Sequence, residues 1–163
     1  MKKSIILSLC IVFCATVYSQ RDSLPPYKKF NSFPPVKLLL PDSSYFTKDD
    51  LPKKPVMLML FNPTCEHCRH ETEEIIKNID KFEDIEIVMA TSMPFDSMIV
   101  FRERYQLARY KNIVVSQDPH FFLITYFDIN RLPFLAFFNK KKGLISVFDG
   151  SMPIEDALKE LNK

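Results

Sequence analysis

Beyond residue 19 the chain lacks net charge. All 20 acidic residues lie there, and of the 22 basic ones only Lys2 and Lys3 do not, leaving 20 of each sign. A basic face for nucleic acid is not suggested by such a balance. Internal repeats are absent, and 163 residues suit one domain with a real core. A full-length membrane span is missing too, because the apolar stretch from Ile5 to Tyr18 is short for one. It follows two lysines and ends near the small or medium residues Val17 and Ser19, so residues 1–19 read as a signal peptide cleaved near Ser19/Gln20. An uncleaved anchor is the rival reading, with interfacial residues lengthening the stretch. A lipid-modified cysteine fits less well, since Leu9 precedes Cys10 and Phe13 precedes Cys14, and neither is small.

Cysteine is scarce as well. Cys10 and Cys14 leave with the signal peptide, so Cys65 and Cys68 are the whole cysteine chemistry of the mature chain. The compartment to which export leads, the periplasm, lets thiols stay oxidised.

Residues 20–33 are proline-rich and aperiodic and read as a linker, ahead of a domain over 34–163. Within that domain Val36–Leu40 suits a short strand, and Thr47–Leu51 a helical turn. The apolar run Val56–Phe61 suits a strand buried on both faces. From Cys65 to Phe82 the period turns helical, with Cys68, Thr72, Ile75, Ile76, Ile79 and Phe82 on one stripe. Ile85–Ala90 reads as a strand, and Asp96–Tyr110 as a helix capped by Asp96 or Ser97. Ile113–Val115 follows as a strand and Pro119–Phe127 as an apolar helix. Such alternation predicts an α/β fold with a mainly parallel sheet. The end differs: Pro133–Phe138 and Leu144–Phe148 read as an antiparallel hairpin whose turn uses Gly143, one of only two glycines, before a last helix over Ile154–Leu161. Phe121, Phe122, Phe127, Phe134, Phe137 and Phe138 fit core packing better than a ligand pocket, with Phe134 a candidate for shaping a groove.

The segment FNPTCEHCRHE, residues 61–71, therefore sits where a strand becomes a helix. A thiol opening a helix lies where unpaired N–H groups and the helix dipole favour negative charge, which lowers its pKa and makes a nucleophile. Cys65 would attack and Cys68, one turn deeper, would resolve. As a structural staple the pair would do little, because so short a loop gives about 2 kcal/mol where a hundred-residue loop gives about 5. Haem attachment needs His directly after the second cysteine, and Arg69 stands there. For a metal, Cys65, His67, Cys68 and His70 are suitable ligand types. The two histidines nevertheless project about 140° to 200° away from Cys65 around a helix. No metal and no cofactor is expected. A non-enzymatic binding or metal-handling module is the alternative to a redox enzyme.

These residues also carry a resemblance. KPVMLMLFNPTCEHCRHE resembles the active-site segment of the thioredoxin superfamily, most of all its TlpA/ResA-type exported thiol-disulfide oxidoreductases. Residues 34–55 are similar to that branch's lead-in hairpin, Ile85–Tyr110 to its inserted strand and helix, and Gly150-Ser151-Met152 to its approach to the last helix. The resemblance implies a thioredoxin-like fold: a mixed central sheet flanked by helices, with an N-terminal extension and an inserted strand-helix element. It implies a redox-active disulfide at Cys65 and Cys68. Pro133 in NRLPFLAFF takes the place of the superfamily's cis-proline, which would free the Leu132 backbone to pair with an extended substrate. Glu71 matches the glutamate of the C-x-x-C-x-x-E pattern, implied there to handle protons. His67 is similar to the histidine of oxidising relatives, and Glu66 to the glutamate of reductants. Near Cys65 the two act oppositely, an anion raising its pKa and an imidazolium lowering it.

Three positions depart from the superfamily. Thr64 stands for the usual tryptophan, Met59 for thioredoxin's buried aspartate, and Glu73 for a helix-kinking proline. They bear on partner and rate. What the resemblance implies is a monomeric periplasmic oxidoreductase, slightly favouring reduction, whose partners are exported proteins or peptides with cysteines or disulfides. A membrane electron donor is a further implied partner.

Overall fold

The computed structural model describes residues 24–162, so the segment read as a signal peptide lies outside the described residues. Within them one sheet contains β1 (Lys37–Leu39), β2 (Tyr45–Thr47), β3 (Val56–Leu60), β4 (Glu86–Thr91), β5 (Ile113–Gln117), β6 (Phe134–Phe138) and β7 (Leu144–Asp149). Their order is β2-β1-β5-β4-β3-β6-β7. The central β3, β4 and β5 run parallel, and β6 lies antiparallel to β3 with Leu60 opposite Phe134. The sheet is mixed, as the resemblance implies, and not mainly parallel as alternation alone predicts, since four of its six strand pairings are antiparallel. Its helices are α1 (Pro26–Phe30), α2 (Glu66–Lys77), α3 (Phe95–Arg104), α4 (Phe122–Phe127) and α5 (Ile154–Leu161).

Strand alternation divides the core in two. Met57 and Met59 of β3, Ile87 and Met89 of β4, and Leu135 and Phe137 of β6 face a layer holding α2, α3 and α5, where Cys68, Ile75, Met98, Phe101 and Ala157 are buried. Val56, Leu58, Leu60, Val88, Ala90, Phe134 and Phe138 face the opposite layer, with Leu123, Tyr126 and Phe127 of α4. Every residue of β3, β4 and β6 is therefore buried, and each strand reads as a continuous apolar run or nearly so. Phe134 belongs to this core, 5.1 Å from the Phe127 ring, and shapes no groove.

Several details differ from the expectations, and the helices expected over Cys65–Phe82 and Asp96–Tyr110 stop at Lys77 and Arg104. The lead-in read as aperiodic contains α1, and Phe33 behind it is buried with its ring 4.9 Å from that of Phe138. Pro26 at the helix start supplies the preset φ that an apolar pattern does not reveal. Neither Asp96 nor Ser97 caps α3, because the Pro94 carbonyl accepts the Ser97 and Met98 N–H groups at 2.9 and 3.2 Å and the helix begins earlier. The helix expected from Pro119 starts only at Phe122. Phe121 adopts a left-handed φ of 55° and the Asp118 carboxylate accepts the Leu123 N–H at 2.8 Å. In the β6–β7 turn Lys142, not Gly143, takes the left-handed conformation, with φ 65°. Its ammonium donates to the carbonyls of Pro52 and Lys54 at 2.6 Å each, which holds the turn against the start of β3.

Candidate functional site

The chain leaves β3 through Phe61, whose N–H still bonds the Ala90 carbonyl at 3.0 Å, and turns at Asn62. The Asn62 side-chain oxygen accepts from the N–H and the hydroxyl of Thr64, both at 2.9 Å, and its carbonyl accepts the Cys65 N–H at 3.0 Å. Asparagine closes such turns through its own side chain, and Pro63 presets the next φ. Cys65 is thereby placed at the N-cap of α2 in extended conformation (φ −73°, ψ 125°), with its carbonyl accepting the Arg69 N–H at 3.1 Å. Its side chain is half-buried. Cys68, one turn on, is fully buried.

Burial pushes the Cys68 thiol up to about 12. The Asn62 N–H, donating to its sulfur at 3.5 Å, opposes that shift, while the neighbouring Cys65 thiol and the Glu71 carboxylate add to it. Both cysteines are free thiols in this structure. The arrangement offers one accessible sulfur at a helix N-terminus and one protonated sulfur directly behind it.

The loop before β6 faces them. Leu132–Pro133 is a cis peptide, and the Leu132 carbonyl accepts from the Cys65 thiol at 3.8 Å. The buried Pro133 fixes this loop from the other side, its carbonyl accepting the Gly150 N–H at 2.8 Å. Leu132 packs against both core layers, so the carbonyl that meets Cys65 is held by the sheet itself.

Glu71 is buried, only 2 % exposed, rather than one more solvated charge beside Glu73 and Glu74. Its Oε2 accepts the Met152 N–H at 3.0 Å, and its Oε1 has no partner. Burial raises the Glu71 pKa; the hydrogen bond from Met152, the neighbouring Ser151 hydroxyl and the charge of His70 oppose the rise. A cavity of about 280 Å³ opens beside it, between His70 and Glu74 of α2 and Met152. Glu66 and His67 lie elsewhere, exposed on the outer side of the first helical turn, although the His67 carbonyl accepts the Ser151 hydroxyl at 3.4 Å. The structure thus brings Cys65, Cys68, Leu132, Pro133 and Glu71 together and leaves the side chains of Glu66 and His67 outside. Among the described residues no three His, Cys, Asp or Glu side chains cluster as metal ligands, and no helix is long and apolar enough to cross a membrane.

Two contributors escaped sequence reasoning. Asn62 builds the turn and bonds Cys68, and the Asn-Pro pair at 62–63 was a readable turn signal. Met152 holds Glu71 through a backbone N–H from 81 positions away, which no local pattern announces.

No family model and no curated protein matches the chain. Solved structures do. A secreted Mycobacterium tuberculosis disulfide oxidoreductase homologous to Escherichia coli DsbE is 15% identical, at TM-score 0.65 over 77% of this chain and 93% of that one. The exposed lipoprotein thioredoxin of Streptococcus pneumoniae is 27% identical, at TM-score 0.58 over 77% and 98%. StoA of Bacillus subtilis is 15% identical, at TM-score 0.57 over 78% and 98%.

Proposed function

We propose that this chain, which has the thioredoxin-like fold, is a thiol-disulfide oxidoreductase working on exported proteins or peptides in the periplasm, with reduction as its favoured direction. The observation that carries the reading is the half-buried Cys65 at the N-cap of α2, facing the Leu132 carbonyl of the cis-proline loop with buried Cys68 behind it. The Cys65 thiolate attacks one sulfur of a partner disulfide. A Cys65–partner S–S bond forms, the partner's own S–S bond breaks, and the departing partner thiolate takes up a proton. Cys68 then loses its proton and attacks the Cys65 sulfur, forming the Cys65–Cys68 disulfide and releasing the second partner thiol. Two electrons and two protons have passed to the partner; the oxidase direction runs the same steps backwards.

Burial suits Cys68 to the second step. Its high pKa keeps it protonated at neutral pH, so the more accessible Cys65 sulfur is the one that meets the partner first. The likeness to secreted and lipoprotein relatives supports an exported setting, as does the leader-like sequence of residues 1–19. In an insulin-reduction assay the wild type should turn over and Cys65→Ser should not; equal rates would sink the enzyme reading. Cys68→Ala should accumulate partners as mixed disulfides on Cys65, which identifies them.

A further inference from the structure

We propose that the cavity beside the Cys65 loop is a docking surface for an acidic side chain of the partner polypeptide, received between Arg69 and Arg104. The inference rests on the exchange reading above and adds to it the class of partner segment that Cys65 meets.

The cavity measures about 340 Å³. One wall is Pro63-Thr64, immediately before Cys65, so the cavity lies within a residue or two of the sulfur that a partner must reach. Arg69 enters from α2, and Asp96, Phe101 and Arg104 from α3. The small Thr64 leaves the space open. Ion pairs among the described residues join Lys77 to Glu74, Lys81 to Glu155 and Lys159 to Asp156, and none takes Arg69 or Arg104. Asp96, the one carboxylate on the wall, is exposed and bridges neither guanidinium. Glu73 lies nearby but accepts the Tyr105 hydroxyl at 3.3 Å. The two arginines line this same cavity from two different helices.

Two planar guanidiniums without a carboxylate partner, over an apolar floor, favour a carboxylate above any other side chain a protein can offer. A basic segment would face like charge there. The site lies beside the reacting sulfur and does not touch it, so it selects partners without changing the exchange chemistry.

The test uses two disulfide-bonded peptides, identical except that the residues flanking one cysteine are Glu in the first and Gln in the second. The wild type should favour the Glu peptide in kcat/KM by about fivefold, as two exposed ion pairs allow. The preference should collapse near 1 M salt, where the screening length is about 3 Å. In Arg69→Gln/Arg104→Gln the ratio should fall to near one. Because Arg69 is half-buried, Arg104→Gln alone at its exposed position is the second variant, with the ratio reduced about twofold. A ratio near one in the wild type, or an undiminished ratio in the variants, would overturn the docking surface. Turnover of neither peptide would instead strike the exchange reading. The Kd ratio of the same peptides with serine for cysteine then still decides the docking question, by the same fivefold criterion.

Discussion

Glu71 shows how one residue can be costly to the fold where it sits. A carboxyl whose pKa is raised by burial is held most comfortably when protonated, so its contribution to stability is fully present below the ordinary carboxylate range and is lost as pH rises through the raised value. Each unit of upward shift corresponds to about 1.4 kcal/mol lost by the time the group is fully ionised. Glu71→Gln removes that titration and keeps an oxygen for the Met152 N–H. In urea unfolding of the reduced protein, stability of Glu71→Gln relative to wild type should therefore climb with pH, starting just above the ordinary carboxylate range and levelling off beyond the raised pKa. Glu86, also raised by burial, is common to both proteins and cancels. Parallel pH profiles would show that Glu71 does not carry the shift. The same residue measures what the sequence could convey. Its position relative to Cys68 was plain from spacing, and its burial was not, because the covering Met152 arrives from the far end of the chain.

Among the elements, the β6–β7 hairpin makes a sharper case. The Asn139 side-chain oxygen accepts the Lys141 and Gly143 N–H groups at 2.8 and 3.1 Å, folding the turn around itself. A Cβ added at Gly143 would meet the Asn139 Nδ2 at 2.9 Å, although the Gly143 backbone conformation is open to any residue. Glycine thus leaves the Asn139 amide its room, while Lys142 supplies the left-handed turn. Gly143→Ala should cost about 1–2 kcal/mol as an overpacking defect in the wild type, and close to nothing in an Asn139→Ala background. A double-mutant cycle from urea midpoints measures this; additive losses would mean the two residues act separately. Reading the hairpin from its sequence was straightforward, since two apolar runs flank a polar loop with a glycine. Assigning the conformation within that loop was not, because a close side-chain approach leaves no mark on hydrophobic pattern. The helices divide in the same way. Period alone located α2 and α5, whereas the start of α4 depended on Asp118 reaching forward to the Leu123 N–H.

For the whole molecule, the question is how far the folded unit extends toward the N-terminus. Linker-like composition over residues 20–33 conceals α1 and Phe33, because proline-rich segments give no apolar period from which to infer packing. Ser32 bridges to Gly143, the Phe33 N–H donates to the Lys142 carbonyl at 2.8 Å, and Tyr27 lies 5.5 Å from Phe127. These contacts tie the lead-in to the β6–β7 turn and to α4, on the face of the sheet away from the cysteines. Phe33 is 4 % exposed, so Phe33→Ala should leave a cavity under Phe138 and lower stability by about 3 kcal/mol. Since its layer does not include Cys65 or Cys68, the reactivity of Cys65 toward a small alkylating agent in the folded protein should remain within about twofold of wild type. Urea unfolding and timed alkylation separate the two effects. A loss well below about 1 kcal/mol, the level of an ordinary surface substitution, would place Phe33 in a linker after all. A stability loss with unchanged thiol reactivity would instead make the sheet a partition, one layer anchoring the lead-in while the other holds the sulfurs.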